Sequence, residues 1–278
     1  MTRENRLRAK FAAGQKCLGI WGMAINTIYT EVLGAAGYDF VILDNEHGPS
    51  MPGDTLPHIQ LLSHMNVPTV VRVPWNDQVY LKRVLDAGAE TLLFPGIQDA
   101  AEAARAVAAT RYPPEGVRGL SAMGRASRFG TMPDYYRVAN KAVGVVLQLE
   151  TPHAIAQLEE IAAVPGVDAL FVGPAGVSGA LGHPGQFTHA AVMAMMGGAA
   201  QRARAIGMPI GTVGTTPDVV TRYRAAGFDY VAVASDLGLL MRGALSAVQA
   251  LRQGGDSAAH VHTLTEGTRT AEAVGGKA

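Results

Sequence analysis

The chain has 278 residues, 48% of them apolar, with Lys+Arg 23 balanced by Asp+Glu 23. That length can bury a substantial core, and without a basic cluster a nucleic-acid or membrane-surface partner is disfavoured. Met1 to Gln15 lack the apolar core of a secretory signal, no run of about 18 apolar residues is present to span a bilayer, and a lone Cys17 excludes an internal disulfide or a Cys-rich metal centre; a cytoplasmic protein is expected.

From the N-terminus onward, short apolar runs alternate with Ala-rich segments of helical spacing. The predicted strands are Cys17 to Trp21, Tyr38 to Leu43, Pro68 to Val73, Glu90 to Phe94, Gly144 to Leu149, Ala169 to Val172, Pro209 to Val213 and Tyr230 to Ala234. The predicted helices are Ile28 to Ala36, Leu56 to Met65, Gln78 to Ala87, Ala101 to Ala109, His153 to Ala163, Ala190 to Ile206, Asp218 to Ala226 and Leu237 to Arg252. Cys17 opens the first apolar run, which gives it a packing role. Thr151-Pro152 and Thr216-Pro217 place a hydroxyl at the N-cap and proline at the first helical position. Asp99 is positioned to cap the helix after it, and Ala87-Gly88 and Ala226-Gly227 read as helix ends.

Eight such units without a linker predict a closed (β/α)8 TIM barrel over residues 1–253; a doubly wound sheet is the runner-up. Two stretches fall outside the repeat. Arg111 to Tyr136 is a long connection, of the kind that is functional or lies at an interface. Residues 254–278 form a small polar tail, either disordered or packed on another subunit.

In such a barrel the chemistry comes from the carboxyl ends of the strands. Those ends carry Trp21, then Asp44, Glu46 and His47, then Arg72, Gln148 with Glu150, the turn Gly173-Pro174-Ala175-Gly176, Thr212, and Ser235 with Asp236. Arg72 interrupts an apolar strand, either to pair with Asp44 or Glu46 or to aim a cation at substrate oxygen, and the two readings are compatible. Glu150 reads as a carboxylate at a helix N-terminus or as a ligand for a hard divalent cation. Gly173 to Ser178 is a tight turn, or a set of amides for a carboxylate. The sequence has no G-x-S-x-G elbow, H-E-x-x-H, P-loop or dinucleotide fingerprint, and no strand ends in lysine, which disfavours a Schiff-base mechanism.

Together, Asp44-Asn45-Glu46-His47-Gly48-Pro49, Arg72-Val73-Pro74-Trp75-Asn76, Gly116-Val117-Arg118-Gly119 after Tyr112-Pro113-Pro114, Gln148-Leu149-Glu150-Thr151 and Phe171-Val172-Gly173-Pro174-Ala175 resemble the HpcH/HpaI aldolases, class II pyruvate-dependent enzymes. The likeness spans roughly residues 5 to 252 by motif order. It implies a barrel of the phosphoenolpyruvate/pyruvate superfamily, a homohexamer exchanging a C-terminal helix, and a lyase that forms or cleaves a 4-hydroxy-2-oxo acid to give pyruvate or hydroxypyruvate and an aldehyde. It further implies that Glu150 binds a divalent metal (Mg²⁺, Mn²⁺ or Co²⁺) and that Arg72 faces the keto oxygen. His47, oriented by Asp44, is then the acid/base group, Gly173 to Gly176 hold the pyruvate carboxylate, and Gln148 lines the pocket. Glu46 supports the site from behind, and Asp86 matches a carboxylate near the subunit interface. Trp21, Val213 and the loop Met123 to Phe129 are expected to border the aldehyde.

One position departs from the family pattern, in which a second metal carboxylate follows Gly-Pro-Ala; here it is Gly176. Weaker metal binding and weak lyase activity are expected, with Gly176→Asp tightening the metal. The rival readings are a catalytically attenuated oligomeric binding protein and an oxaloacetate-type decarboxylase.

Overall fold

The computed structural model describes residues 4–24 and 26–252. The chain divides into two compact units, Met1–Asp236 and Leu237–Ala278. The first holds eight strands: β1 (Cys17–Gly22), β2 (Phe40–Asp44), β3 (Thr69–Arg72), β4 (Thr91–Phe94), β5 (Gly144–Leu149), β6 (Ala169–Val172), β7 (Ile210–Gly214) and β8 (Tyr230–Ser235). They pair in sequence order, all parallel, and β8 returns to β1, closing the (β/α)8 barrel. The helices are α1 (Arg6–Ala12), α2 (Thr27–Ala35), α3 (Pro52–His64), α4 (Gln78–Asp86), α5 (Ala100–Thr110), α6 (Tyr135–Ala142), α7 (Pro152–Ala156), α8 (Leu158–Ala162), α9 (Pro174–Ala180), α10 (Ala190–Ala205), α11 (Pro217–Ala226) and α12 (Asp236–Arg252). The tail 254–278 lies outside the described residues, and no helix among those described is long and apolar enough to cross a membrane.

Strand periodicity sorts the side chains into two cores. Val41, Leu43, Val71, Leu92, Val145, Leu147, Leu149, Leu170 and Val172 pack outward under the helices. Phe40, Ile42, Val70, Leu93, Val146, Ala169, Phe171, Tyr230 and Ala232 fill the interior. The interior is a fitted solid: a Cβ on Gly19 would come within 2.3 Å of the Phe40 ring, and one on Gly211 within 2.1 Å of the Tyr230 ring. Cys17 is buried in this core, where desolvation pushes its thiol up to about 11.

The capping signals hold. Thr151 and Thr216 accept from the amides of Ala154 and Val219, and Asp99 accepts from Glu102 at 2.7 Å. Gly227 ends α11 at φ 110°, a conformation open to glycine. Four elements differ from the sequence expectation. His153 to Ala163 is two short helices, α7 and α8. Within the long connection Arg111 to Tyr136 lies a 3₁₀ turn at Arg125–Ser127, and α6 begins at Tyr135. Pro174 to Ser178 belong to a helix, α9, with Gly173 as its N-cap.

The fourth is α1. Leu7 and Phe11, four apart, enter the interior core. The polar side chains between and before them tie α1 to the amino-terminal ends of separate strands. Arg6 pairs with Glu90 at 3.0 Å, Arg8 with Asp168 at 2.7 Å and Lys10 with Asp39 at 2.9 Å, while Asn5 donates to Glu90 C=O and Thr91 Oγ1. The helix thus closes the floor of the barrel opposite the expected active face.

Candidate active site at the carboxyl ends of the strands

Strand parity dictates which polar groups enter the mouth. Phe40 and Ile42 point inward, so Asp44 does; Val70 carries Arg72 inward two residues later, and Val146 does the same for Gln148 and then Glu150. Asp44 and Arg72 are also register partners across β2 and β3. The Arg72 guanidinium donates through Nε and Nη2 to the two oxygens of Asp44, at 3.0 and 2.6 Å. Nη1 lies 2.7 Å from Glu46 Oε2, an ion contact without hydrogen-bond alignment. The group also stacks on Trp21, 4.6 Å from the ring centroid. The ion-pair reading of Arg72 is therefore realised, with both carboxylates, and of its five N–H donors two remain outside these contacts.

Asp44 is fully buried, and it also accepts from the amides of Glu46 (3.0 Å) and His47 (3.2 Å). Gly48 permits this tight turn, since a Cβ there would sit 2.2 Å from Asp44 C=O. The expectation that Asp44 orients the His47 imidazole is corrected: Asp44 holds the His47 backbone. The ring is 68% exposed on the rim, with Nε2 4.0 Å from Glu46 Oε1. Asn45, which the sequence did not single out, is buried and donates to Thr55 Oγ1 and Tyr80 OH, fastening the turn to α3 and α4.

The electrostatics separate the two carboxylates beside Arg72. Burial alone would raise Asp44, but the Arg72 hydrogen bond and charge, with the two amides, outweigh it and hold the carboxyl below its ordinary 3.8. For Glu46 burial is again the largest influence; Arg72 lowers it, Glu150 raises it, and the balance is upward from 4.5. Asp44 and Glu46 thus share the Arg72 guanidinium, and the charge of Glu150 reaches Glu46 from across an anionic mouth. A depressed folded value means that Asp44 stabilises the fold above its unfolded pKa and loses that contribution as pH falls through the folded one. Below about pH 4 the melting temperature of the wild type is expected to fall more steeply than that of Asp44→Asn; equal slopes in a thermal-unfolding pH series would contradict the depression.

Across the mouth, Glu150 Oε1 accepts from Gly96 N–H at 3.1 Å. A Cβ on Gly173 would meet Gln148 Nε2 at 3.1 Å and Glu150 Oε2 at 3.2 Å, and one on Gly176 would meet Glu150 Oε2 at 2.9 Å, so these groups crowd one spot. Gln148 is buried, and its Oε1 has no hydrogen-bond partner. Among the described residues no cluster of three His, Cys, Asp or Glu side chains converges. The oxygens present, Glu150 Oε2 and the orphaned Gln148 Oε1, are hard donors of the type a Mg²⁺-like ion takes alongside water and substrate, often with only one or two carboxylates. The expectation for the amides narrows: Gly173 N–H is bonded to Leu149 C=O and Pro174 has none, which leaves the first-turn amides of Ala175 and Gly176.

Trp21 and the half-buried Val213 pack with Phe171 at the top of the interior core. Asp86 lies elsewhere, at the end of α4, 2.9 Å from Arg118. Arg118 is 1% exposed and stacks 4.3 Å from the Tyr112 ring. Met123 lines a separate groove with Ser127, Met132, Tyr135 and Tyr136.

Residues 18–243 match the family model described as HpcH/HpaI aldolase/citrate lyase. The chain is 45% identical over 235 residues to a 2-dehydro-3,6-dideoxy-6-sulfogluconate aldolase of Pseudomonas putida, covering 84% of this chain and 92% of that one. It is 42% identical over 239 residues to a pyruvate aldolase of Rhizobium etli, covering 86% and 94%. The fold superposes on the crystal structure of an HpcH/HpaI aldolase/citrate lyase family protein from Burkholderia cenocepacia J2315 with a TM-score of 0.85 at 36% identity, covering 89% of this chain and 99% of that one. With the barrel, the motif order and these likenesses in agreement, the chain belongs to the HpcH/HpaI aldolase family and is a carbon-carbon lyase of the aldolase type.

Proposed function

We propose that the enzyme cleaves, and in reverse forms, 4-hydroxy-2-oxo acids, giving pyruvate or hydroxypyruvate and an aldehyde, with a divalent cation (Mg²⁺, Mn²⁺ or Co²⁺) held weakly at Glu150. The same reading includes a cytoplasmic homohexamer. The observation that carries it is the fixed guanidinium of Arg72, locked by Asp44, Glu46 and Trp21 in the anionic mouth that Glu150 shares.

Breaking the C3–C4 bond of such an acid places an electron pair on the enolate of the 2-oxo group. The remaining Arg72 N–H donors meet that oxygen as its charge grows, and because the guanidinium is already oriented it reorganises little during the step. Ala175 and Gly176 amides receive the C1 carboxylate at the start of α9. His47 takes the proton of the C4 hydroxyl as the aldehyde leaves and returns it to C3, completing the pyruvate methyl. Its place on the rim gives it access to substrate and solvent. Asp44 is a positioning residue for Arg72 and for the turn that carries His47. Gln148 lines the oxo-acid end, and Trp21 with Val213 borders the aldehyde. When bound, a divalent cation polarises the 2-oxo group and neutralises developing charge.

The rival reading, an attenuated binding protein, is favoured by Gly176, which offers no carboxylate beside Glu150. Coupling pyruvate release from a 4-hydroxy-2-oxo acid to lactate dehydrogenase separates the two. The rate is expected to depend on added Mn²⁺, to vanish with a chelator and to drop in His47→Ala. Activity that survives both chelation and His47→Ala overturns the proposal.

A further inference from the structure

One oxygen of Glu150, Oε1, already accepts the Gly96 amide at 3.1 Å, which leaves Oε2 the less committed of the two. Gly96 belongs to the turn between β4 and α5, and that turn is fastened to the end of β5 around Glu150 itself. Ile97 N–H donates to Gln148 C=O at 3.3 Å. Thr151 Oγ1 donates to Gln98 Oε1 at 2.8 Å, and Gln98 Nε2 donates back to Gly96 C=O at 3.0 Å. The side chain of Gln98 therefore bridges the residue after Glu150 to the residue whose amide grips it. The backbone N–H of Gln98 in turn donates to Glu102 Oε2 at 2.8 Å. Gly96 has φ +67°, and a Cβ there would lie 3.4 Å from the Trp75 ring, so the turn is closed from its outer side as well.

A peptide amide aimed at one carboxylate oxygen fixes the torsion of the whole carboxylate and so the direction of the other oxygen; removing a group that holds a metal ligand in this way typically costs about 10- to 100-fold in affinity. We propose that Gln98 is a positioning residue for the cation site: through Gly96 it fixes the Glu150 carboxylate in the orientation that presents Oε2 to the ion. The proposal rests on the reading of Glu150 as the cation ligand. With few carboxylates at the site, the preorganisation of this one oxygen carries more of the affinity.

The test is Mn²⁺ binding to the full-length metal-free protein, followed by electron paramagnetic resonance of the free and bound ion, for the wild type, Gln98→Met and Glu150→Gln. Gln98→Met keeps the volume and removes both side-chain hydrogen bonds. It is expected to weaken Mn²⁺ binding about 10- to 100-fold and to alter the bound-ion spectrum, while Glu150→Gln loses the site. Wild-type affinity and spectrum in Gln98→Met, with the site lost in Glu150→Gln, overturn the role of Gln98 and leave the Glu150 reading standing. Wild-type affinity in Glu150→Gln overturns both. Gln98→Ser, a turn-compatible residue too short to reach Thr151, repeats the measurement should the Met variant fail to fold, with the same two readings.

Discussion

Arg72→Lys is expected to lower kcat/KM for pyruvate-forming cleavage by about 10²- to 10³-fold, although the positive charge is kept. A lysine is a point charge on a flexible stem: it cannot reproduce the paired Nε and Nη2 bonds to Asp44, nor lie flat on Trp21 while a third nitrogen faces Glu46. Arg72→Ala removes the charge as well. Asp44, whose side chain is fully buried, then keeps only the amides of Glu46 and His47, and stability should fall by about 3–5 kcal/mol. Steady-state kinetics of the Lys variant and thermal or denaturant unfolding of both variants check these effects. A Lys variant with wild-type kcat/KM would show that charge alone suffices and would remove the fixed fork from the mechanism.

Gly176→Ala is expected to destabilise the protein by about 1–3 kcal/mol and to bind Mn²⁺ less tightly than the wild type. The methyl carbon would lie 2.7 Å from Glu150 Cβ, 2.9 Å from Oε2 and 3.0 Å from the Glu150 carbonyl oxygen. Neither the carbonyl nor the Cβ can swing aside as a side-chain tip does, so the first turn of α9 must move off β5. Gly176→Asp meets the same contacts and adds a carboxylate beside the Glu150 oxygen. The expected tightening of the metal therefore has to be read against the Ala variant, not against glycine alone. Relative to Gly176→Ala, the Asp variant should bind Mn²⁺ about tenfold more tightly or better. Its melting temperature should also rise more on adding Mn²⁺, because an ion that binds only the folded state stabilises it. Equal affinities in the two variants would place position 176 outside the metal site.

The barrel was legible because its strands are short apolar runs bounded by turn residues, and because Thr151-Pro152, Thr216-Pro217 and Asp99 announce helix starts by chemistry that does not depend on tertiary context. What remained hidden depends on partners far along the chain. The helix α1 reads as a polar terminus because Arg6, Arg8 and Lys10 are matched only by Glu90, Asp168 and Asp39, and its apolar content is two side chains one turn apart. Two glycines and an initial proline disguise α9 as a turn. The positions of Asp44, Arg72, Gln148 and Glu150 follow from strand parity and could be read from the sequence, whereas their hydrogen bonds could not. Nothing local distinguishes an Asp44 that orients an imidazole from one that receives a guanidinium and two amides. Gln98 and Asn45 escaped notice for the same reason: a neutral amide in a turn gains its meaning from the oxygen or hydroxyl it meets across the fold. Arg118, one of several arginines in the long connection, gave no sign of being 1% exposed.

The closing of the barrel floor by α1 bears on the order of events during synthesis. Asp39, Glu90 and Asp168 are all translated after the helix they anchor, the last of them just before β6. A nascent chain that has passed α1 therefore carries Leu7 and Phe11 with only part of their interior built, and contacts spanning 160 residues must wait for the distant partner to emerge. A chain halted before Asp168 thus lacks one of the three carboxylates that pair with this helix, and with it the strands from β6 onward that complete the interior around Leu7 and Phe11.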